Sequence, residues 1–329
     1  MANNHDQFSA FHDSINVTAT KRTTLKDNRE ALRKRIRKYF KDNYPNEIQP
    51  KFHWQGSYAM HTILNPIKDE ETGLGVYDLD DGVYFVGKEQ SERKDIEWYH
   101  ARIKEAVDGH TQQEPIDKSA CIRVEYADGH HIDLPMYFMV EGDEHPQLAH
   151  RKNPWVIQDP RDLIDWFSDE CQDKSKLRRM VRFLKAWSAH INDTQDFEMP
   201  CGCILTMLGA KYYQDNDENR EDIAMRDILQ NMYDGLNSEG GFECIRPVFP
   251  YDDLFAGYDT TRKGKFMAEL KAFKEDAERA INSKNPHDAC LKWQKHFGNR
   301  FSCSTAKDED EDATEQKRSG LLKSNSQFA

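Results

Sequence analysis

Apolar residues recur with two different periods along the first half of the chain. Over residues 20–43 (TKRTTLKDNREALRKRIRKYFKDN), Leu25, Leu32, Ile36 and Phe40 fall on one stripe, which predicts a single long amphipathic helix. Thr23 or Thr24 is placed to cap it, and Pro45 stops it. From residue 51 the period shortens. KFHWQ reads as a short strand, GSYAMHTIL as the start of a helix, and VYDLDDGVYF as a second strand. CIRVEYADGHHIDLPMYFM reads as a hairpin that turns at Asp128-Gly129, a pair suited to a tight turn.

Beyond about residue 160 the pattern is helical. DPRDLIDWFSDE opens with Asp159 before Pro160, an N-cap followed by proline at the first helical position. KLRRMVRFLKAWSAHI sets Leu177, Val181, Leu184 and Ile191 on one face, with Trp187 nearby. CILTMLGAKYYQ, RDILQNMYDGL and KGKFMAELKAFKEDAERAIN predict further helices, and no internal repeat is visible. From Ser304 to Ala329 the chain is acidic, then polar and of low complexity, which predicts a disordered tail. The fold class expected is α/β (α+β). Residues 1–158 would form an N-terminal helix and a mixed-sheet lobe, 159–303 a helical lobe and 304–329 the tail.

Composition narrows the function. The chain is polar, 37% hydrophobic and 32% charged, but six Trp and seventeen Phe supply core anchors. A net charge of −12 argues against gripping a long nucleic acid, a task that needs a basic stripe. Basic residues do cluster at 33–38 (RKRIRK) and 176–185 (KLRRMVRFLK), and the first cluster reads as a solvated helix face. No apolar run is long enough to span a membrane, and MANNHDQFSAFHDS lacks a signal pattern. The seven cysteines therefore read as reduced thiols of a cytoplasmic protein with no membrane partner.

Candidate chemistry lies in three pieces. Gly56-Ser57 sits between a strand and a helix, where glycine permits close backbone approach and free N–H groups suit a phosphate. Asp78 and Asp80 lie two apart in a strand, so both carboxylates project from one face. They repel unless a cation sits between them, and hard oxygen ligands suit Mg²⁺ or Mn²⁺. Asp133, in HHIDLPMY, stands in an apolar strand where an unpaired carboxylate is costly to bury. A third ligand bridging two metals accounts for it, and it is also placed to take the proton of a ribose hydroxyl. Taken singly, Gly-Ser is a common turn, and Asp-x-Asp followed by Asp81-Gly82 reads more readily as an acidic strand edge or turn. The ordered combination is far more specific.

WQGSYAMHT, YDLDDGVYF and HIDLPMY together resemble the DNA polymerase β-like nucleotidyltransferases. More narrowly they resemble the cGAS/DncV-like group (CD-NTases) of bacterial CBASS anti-phage systems. DPRDLIDWFSDEC, LRRMVRFLKAW and KHFGNR extend the likeness toward the group's dinucleotide cyclases, over roughly residues 50 to 302. The resemblance implies a polymerase β-like palm with a mixed sheet, a C-terminal helical lobe, and nucleotides in a cleft between them. It assigns Asp78, Asp80 and Asp133 to catalysis and to the metals, Mg²⁺ (or Mn²⁺). Nucleotide binding is assigned to Gly56 and Ser57, to Arg123 on the strand before the third aspartate, and to Lys185 in FLKAW. Periodicity alone makes Lys185 an ordinary exposed helix lysine.

The implied activity is synthesis of a cyclic di- or trinucleotide messenger, first 3′,3′-cGAMP, from ATP and GTP or another NTP pair. The product would activate a downstream effector. The same carboxylates would serve a linear transferase acting on RNA, and a catalytically silent nucleotide-binding relative is the third reading. One segment departs from the family: Met199-Pro200-Cys201-Gly202-Cys203 stands where a serine-bearing stretch usually contacts the triphosphate. Cys201 and Cys203 form no CxxC pair, so a zinc ribbon is disfavoured. His130-His131, beside the hairpin turn, are expected to be solvent-exposed. In some such systems a ubiquitin-transfer-like partner acts on the synthase C-terminus; Ala329 suits that role, or ends a merely solubilising tail.

Overall fold

The computed structural model describes residues 1–309 except 154 and 216–218; residues 310–329, most of the expected tail, lie outside the described set. In chain order the elements are α1 (His5–Ile15), α2 (Ala19–Asn43), β1 (Lys51–Gln55), α3 (Gly56–Ala59), β2 (Tyr77–Gly87), α4 (Ile96–Val107), β3 (Ile116–Asp117), β4 (Cys121–Glu125), β5 (His130–Val140), β6 (Gln147–Leu148) and β7 (Val156–Ile157). The helices α5 (Pro160–Asp173), α6 (Leu177–Thr194), α7 (Gly202–Tyr212), α8 (Glu221–Asn237), α9 (Thr260–Asn282) and α10 (Pro286–Phe297) follow. Two compact units interleave in sequence rather than dividing at residue 158. A sheet unit comprises Asn16–Asp173 and Ile245–Leu254, and a helical unit comprises Met1–Ile15, Lys174–Cys244 and the chain from Phe255.

The sheet runs β1-β2-β5-β4-β3, with β6 on β5 and β7 on β6. β2 and β5 are parallel and the other pairs antiparallel, so the sheet is mixed as expected. Alternation along β2 sorts its side chains. Leu79, Val83 and Phe85 join Ile132, Leu134, Met136 and Phe138 of β5 in a core covered by α2 and α4. α2 contributes the predicted stripe, Leu25, Leu32, Ile36 and Phe40, all fully buried. Its cap is Thr18, whose hydroxyl accepts from Lys21 N at 3.3 Å, rather than Thr23 or Thr24. Most of the 33–38 cluster is solvated, but Arg33 reaches the core face of the sheet and pairs with Asp81 (Nε–Oδ2 2.7 Å). β2 continues straight through Asp81-Gly82, so the acidic-turn alternative does not hold.

Several expectations change. The N-terminal segment is a helix, α1, and both α4 and α10 form where the pattern had assigned nothing. His130 and His131 are buried, at 1% and 6% exposure, not solvated. His130 stacks on Tyr126 (4.2 Å between centroids) and its Nε2 meets Asn28 Nδ2 of α2 at 3.0 Å, so aromatic packing and a helix neighbour replace water. In the helical unit Phe8 and Phe11 of α1 enter a cluster with Phe183, Trp293, Phe297 and Phe301, in which Phe8 lies 5.0 Å from both Trp293 and Phe301. Cys290 and Cys303 form a disulfide, which corrects the expectation that all seven cysteines are thiols. Residues 304–308 are also held. Lys307 O accepts from His287 N at 3.1 Å and Asp308 Oδ1 from Asn285 Nδ2 at 2.9 Å, so the start of the expected tail is tied to α10 and its cap.

Candidate active site

The face of the sheet opposite α2 and α4 carries the predicted carboxylates. Strand register aligns Gln55 of β1 with Asp80 of β2, Asp80 with Asp133 of β5, and Asp133 with Arg123 of β4, one row across four strands. Asp78 stands one step along β2, opposite His131. Asp78, Asp80 and Asp133 are half-buried. Burial, then the charges of Asp78 and Asp133, push the Asp80 carboxyl up to about 8, while Arg123 pulls the other way. A carboxylate held so far above its ordinary range marks a cluster whose charge a cation would relieve. This donor set fits divalent metal ions with oxygen preference.

Asp133 is not unpaired. Arg123 grips it through two parallel bonds, Nε–Oδ1 and Nη2–Oδ2, both 2.7 Å. That pair answers the cost of placing a carboxylate in an apolar strand, and it fixes the direction in which the carboxylate faces. Each oxygen keeps further acceptor capacity for a metal ion. Arg123, expected to hold nucleotide, is thus placed against the third carboxylate.

The Gly-Ser turn touches this row directly. Gly56 has φ +68, and a Cβ there would lie 2.0 Å from Asp80 Oδ2. Only glycine lets the chain pass so close to the carboxylate. The turn opens α3, which is a single turn of four residues, shorter than the helix expected from GSYAMHTIL. Gly56, Ser57, Asp78, Asp80, Asp133 and Arg123 therefore all belong to one region of the sheet unit.

Lys185 belongs to the helical unit, on α6. It lies against the first turn of α7, where a Cβ on Gly202 would meet its Cε at 3.2 Å and Nζ at 3.5 Å. Within that unit the departing Cys201-Gly202 segment and Lys185 are neighbours. Sequence reasoning missed the bonds that organise the row: Gln55 to Tyr137 (3.2 Å), and Arg123 to Asp133. Among the described residues, atoms of His145, Asp159 and Asp162 that could ligate a metal lie within 4.8 Å of one another. Arg161 already neutralises Asp159 there (Nε–Oδ1 2.9 Å), so the group reads as an ion-pair knot at the start of α5.

A mixed sheet with Asp-x-Asp on one strand, a third aspartate beside it on a parallel strand and a Gly-Ser turn against them defines a nucleotidyltransferase palm. Comparison with known proteins agrees. The family profile described as "Cyclic GMP-AMP synthase DncV-like, nucleotidyltransferase domain" matches residues 50–137. A cyclic GMP-AMP synthase of Escherichia albertii is 28% identical over 168 residues, covering 48% of this chain and 34% of its own. One from Escherichia coli strain TW11681 is 25% identical over 315 residues, covering 78% and 68%. The chain thus spans about a third of the first relative and about two thirds of the second. Vibrio cholerae DncV cyclic AMP-GMP synthase, solved with the linear intermediate 5′ pppA(3′,5′)pG, superposes with a TM-score of 0.72 at 19% identity, over 88% of this chain and 93% of that one. Residues 50–137 thus match a DncV-like nucleotidyltransferase domain, and the chain shares the fold of the Vibrio enzyme.

Proposed function

We propose that the protein joins two or more nucleoside triphosphates into a cyclic oligonucleotide messenger, with 3′,3′-cGAMP from ATP and GTP as the first product to seek. The observation that carries this reading is the close approach of the Gly56-Ser57 turn, which we read as phosphate-binding, to Asp80. The relatives named cyclic GMP-AMP synthases support the cyclic product. The linear pppApG held by the Vibrio enzyme supports a route through two successive bond formations.

In this reading Asp78, Asp80 and Asp133 hold Mg²⁺ or Mn²⁺. When bound, such ions supply charge for the triphosphate and polarise an attacking hydroxyl. The chain's own residues do the rest. Gly56 and Ser57 offer backbone N–H groups and a hydroxyl to the donor triphosphate, and Asp133, oriented by Arg123, takes the proton of the ribose hydroxyl. Lys185 binds a phosphate; its position beside Gly202, at the positive end of α7, favours an anion there. The messenger would act on an effector in an anti-phage system, and a cytoplasmic location fits a supply of ATP and GTP. Ala329, outside the described residues, is proposed as the point where a ubiquitin-transfer-like partner acts. Among the described residues no helix is long and apolar enough to cross a membrane.

The test is to supply the four NTPs singly and in pairs with Mg²⁺ or Mn²⁺, and to identify bases and linkage by mass spectrometry. ATP plus GTP should give a cyclic product, and Asp80→Asn should abolish it. Linear products alone would favour a transferase acting on RNA. Nucleotide binding without any product would favour the silent relative.

A further inference from the structure

Gln55 is the last residue of β1 and immediately precedes the Gly56-Ser57 turn. Its side chain is buried and begins in the same row as Asp80, but does not stay there. Nε2 donates to Tyr137 Oη at 3.2 Å, and Tyr137 is on β5, two strands away and four residues beyond Asp133. To reach it the amide crosses β2 over Gly82. A Cβ at position 82 would lie 2.7 Å from Gln55 Oε1 and 2.6 Å from Tyr84 Cε2. Gly82 has no left-handed backbone to explain it; the crossing does.

The far end of this strut is well anchored. Tyr137 is buried and stacks on Tyr84 with centroids 4.6 Å apart and planes 14° from parallel. The Arg161 guanidinium lies 5.5 Å from the Tyr84 ring centre and is itself clasped by Asp159 at the head of α5. Gln55 Oε1 and Tyr84 Oη are buried with no hydrogen-bond partner among the described residues, a cost that an apolar pair of the same shape avoids. A polar strut kept at such a cost, one residue before a turn packed on Asp80, has a positioning task.

We propose that Gln55 is a positioning residue: anchored on Tyr137 across Gly82, it fixes the Gly56-Ser57 turn against Asp80 so that the turn receives a nucleoside triphosphate in one geometry. The proposal rests on the nucleotidyltransferase reading. Three variants, Tyr137→Phe, Gln55→Leu and Gly82→Ala, attack the same strut at its anchor, its amide and its crossing. Calorimetry with a non-hydrolysable NTP and Mg²⁺ gives affinity, and a thermal melt of each variant reports folding. Each variant should weaken binding about tenfold while remaining folded, and the Gln55→Leu/Tyr137→Phe pair should lose no more than either single change. Tyr137→Phe removes one oxygen only, so it keeps the test sound if Gly82→Ala does not fold.

Wild-type affinity retained in Tyr137→Phe and Gln55→Leu, with only the melting temperature lowered, would overturn the proposal. Losses that multiply in the double variant would overturn it too, because the two groups would then act separately. Wild-type protein that binds no nucleotide would overturn the functional reading and this inference together.

Discussion

At position 56 backbone conformation and chemistry constrain one another. Gly56→Ala imposes a Cβ on a φ of +68 and drives it to 2.0 Å from Asp80 Oδ2, so either the turn or the carboxylate must move. A displacement of about 1 Å at reacting groups costs roughly a hundredfold in rate, so turnover in Gly56→Ala should fall at least that far while the protein still melts cooperatively. Ser57→Ala, which removes one hydroxyl donor and leaves the backbone donors, should raise KM for NTP with a smaller loss. The Arg123–Asp133 pair makes a different prediction. Arg123→Gln leaves a half-buried carboxylate without its partner, which should destabilise the sheet unit by about 1–3 kcal/mol in a denaturant titration. Added Mn²⁺ should recover part of that loss, because a cation at the carboxylates replaces the missing charge. No recovery would mean that the ion binds elsewhere.

At the scale of elements, what could be read from the sequence was what local alternation controls. β1, β2 and the β4–β5 hairpin follow from period-two patterning, and α2 and α6 from period-three-and-four stripes, so the carboxylate strands were placed correctly relative to their own cores. What could not be read depends on partners far along the chain. Asp81 looked like part of a turn because its neutralising Arg33 lies on another element, 48 residues away. His130 looked exposed because one covering ring, Tyr77, comes from β2, and because the stacking of Tyr126 across the hairpin turn is not encoded in the alternation. Arg123 and Asp133 were each singled out, but their antiparallel register made them partners, and register depends on the turn between them. α4 did carry a signal: Asp95 caps it, accepting from Trp98 N at 2.7 Å, and Tyr99, Ile103 and Ala106 line one face. That stripe was obscured by the charged residues interleaved with it.

Both units bury imidazoles, among them His130 and His131 in the sheet unit and His296 in the helical unit. The helical unit buries imidazoles that its environment keeps neutral. Burial, with Arg179 and Arg182 adding to it, lowers His12 to about 4, and burial lowers His296 to about 4. In the unfolded chain each takes up its proton near 6.5, whereas in the fold each resists until about 4. Acidification through that window therefore favours the unfolded state. The melting temperature should fall as pH drops from 6.5 toward 4, and His296→Gln should flatten that slope. Reduction of the Cys290–Cys303 bridge, which closes a loop of sequence separation 13, should cost the same unit about 2–3 kcal/mol. Dithiothreitol should then lower the melting temperature, and a Cys290→Ser/Cys303→Ser variant should be insensitive to it.

The measurement that tests the central claim most directly joins the carboxylates to the product. Purified protein is incubated with all four NTPs and Mg²⁺ or Mn²⁺, treated with phosphatase, and analysed by mass spectrometry beside an Asp78→Asn/Asp80→Asn double variant. The account predicts a phosphatase-resistant cyclic nucleotide from the wild type and none from the variant, with both proteins equally folded. The same product from the double variant, or only phosphatase-sensitive products from the wild type, would contradict it.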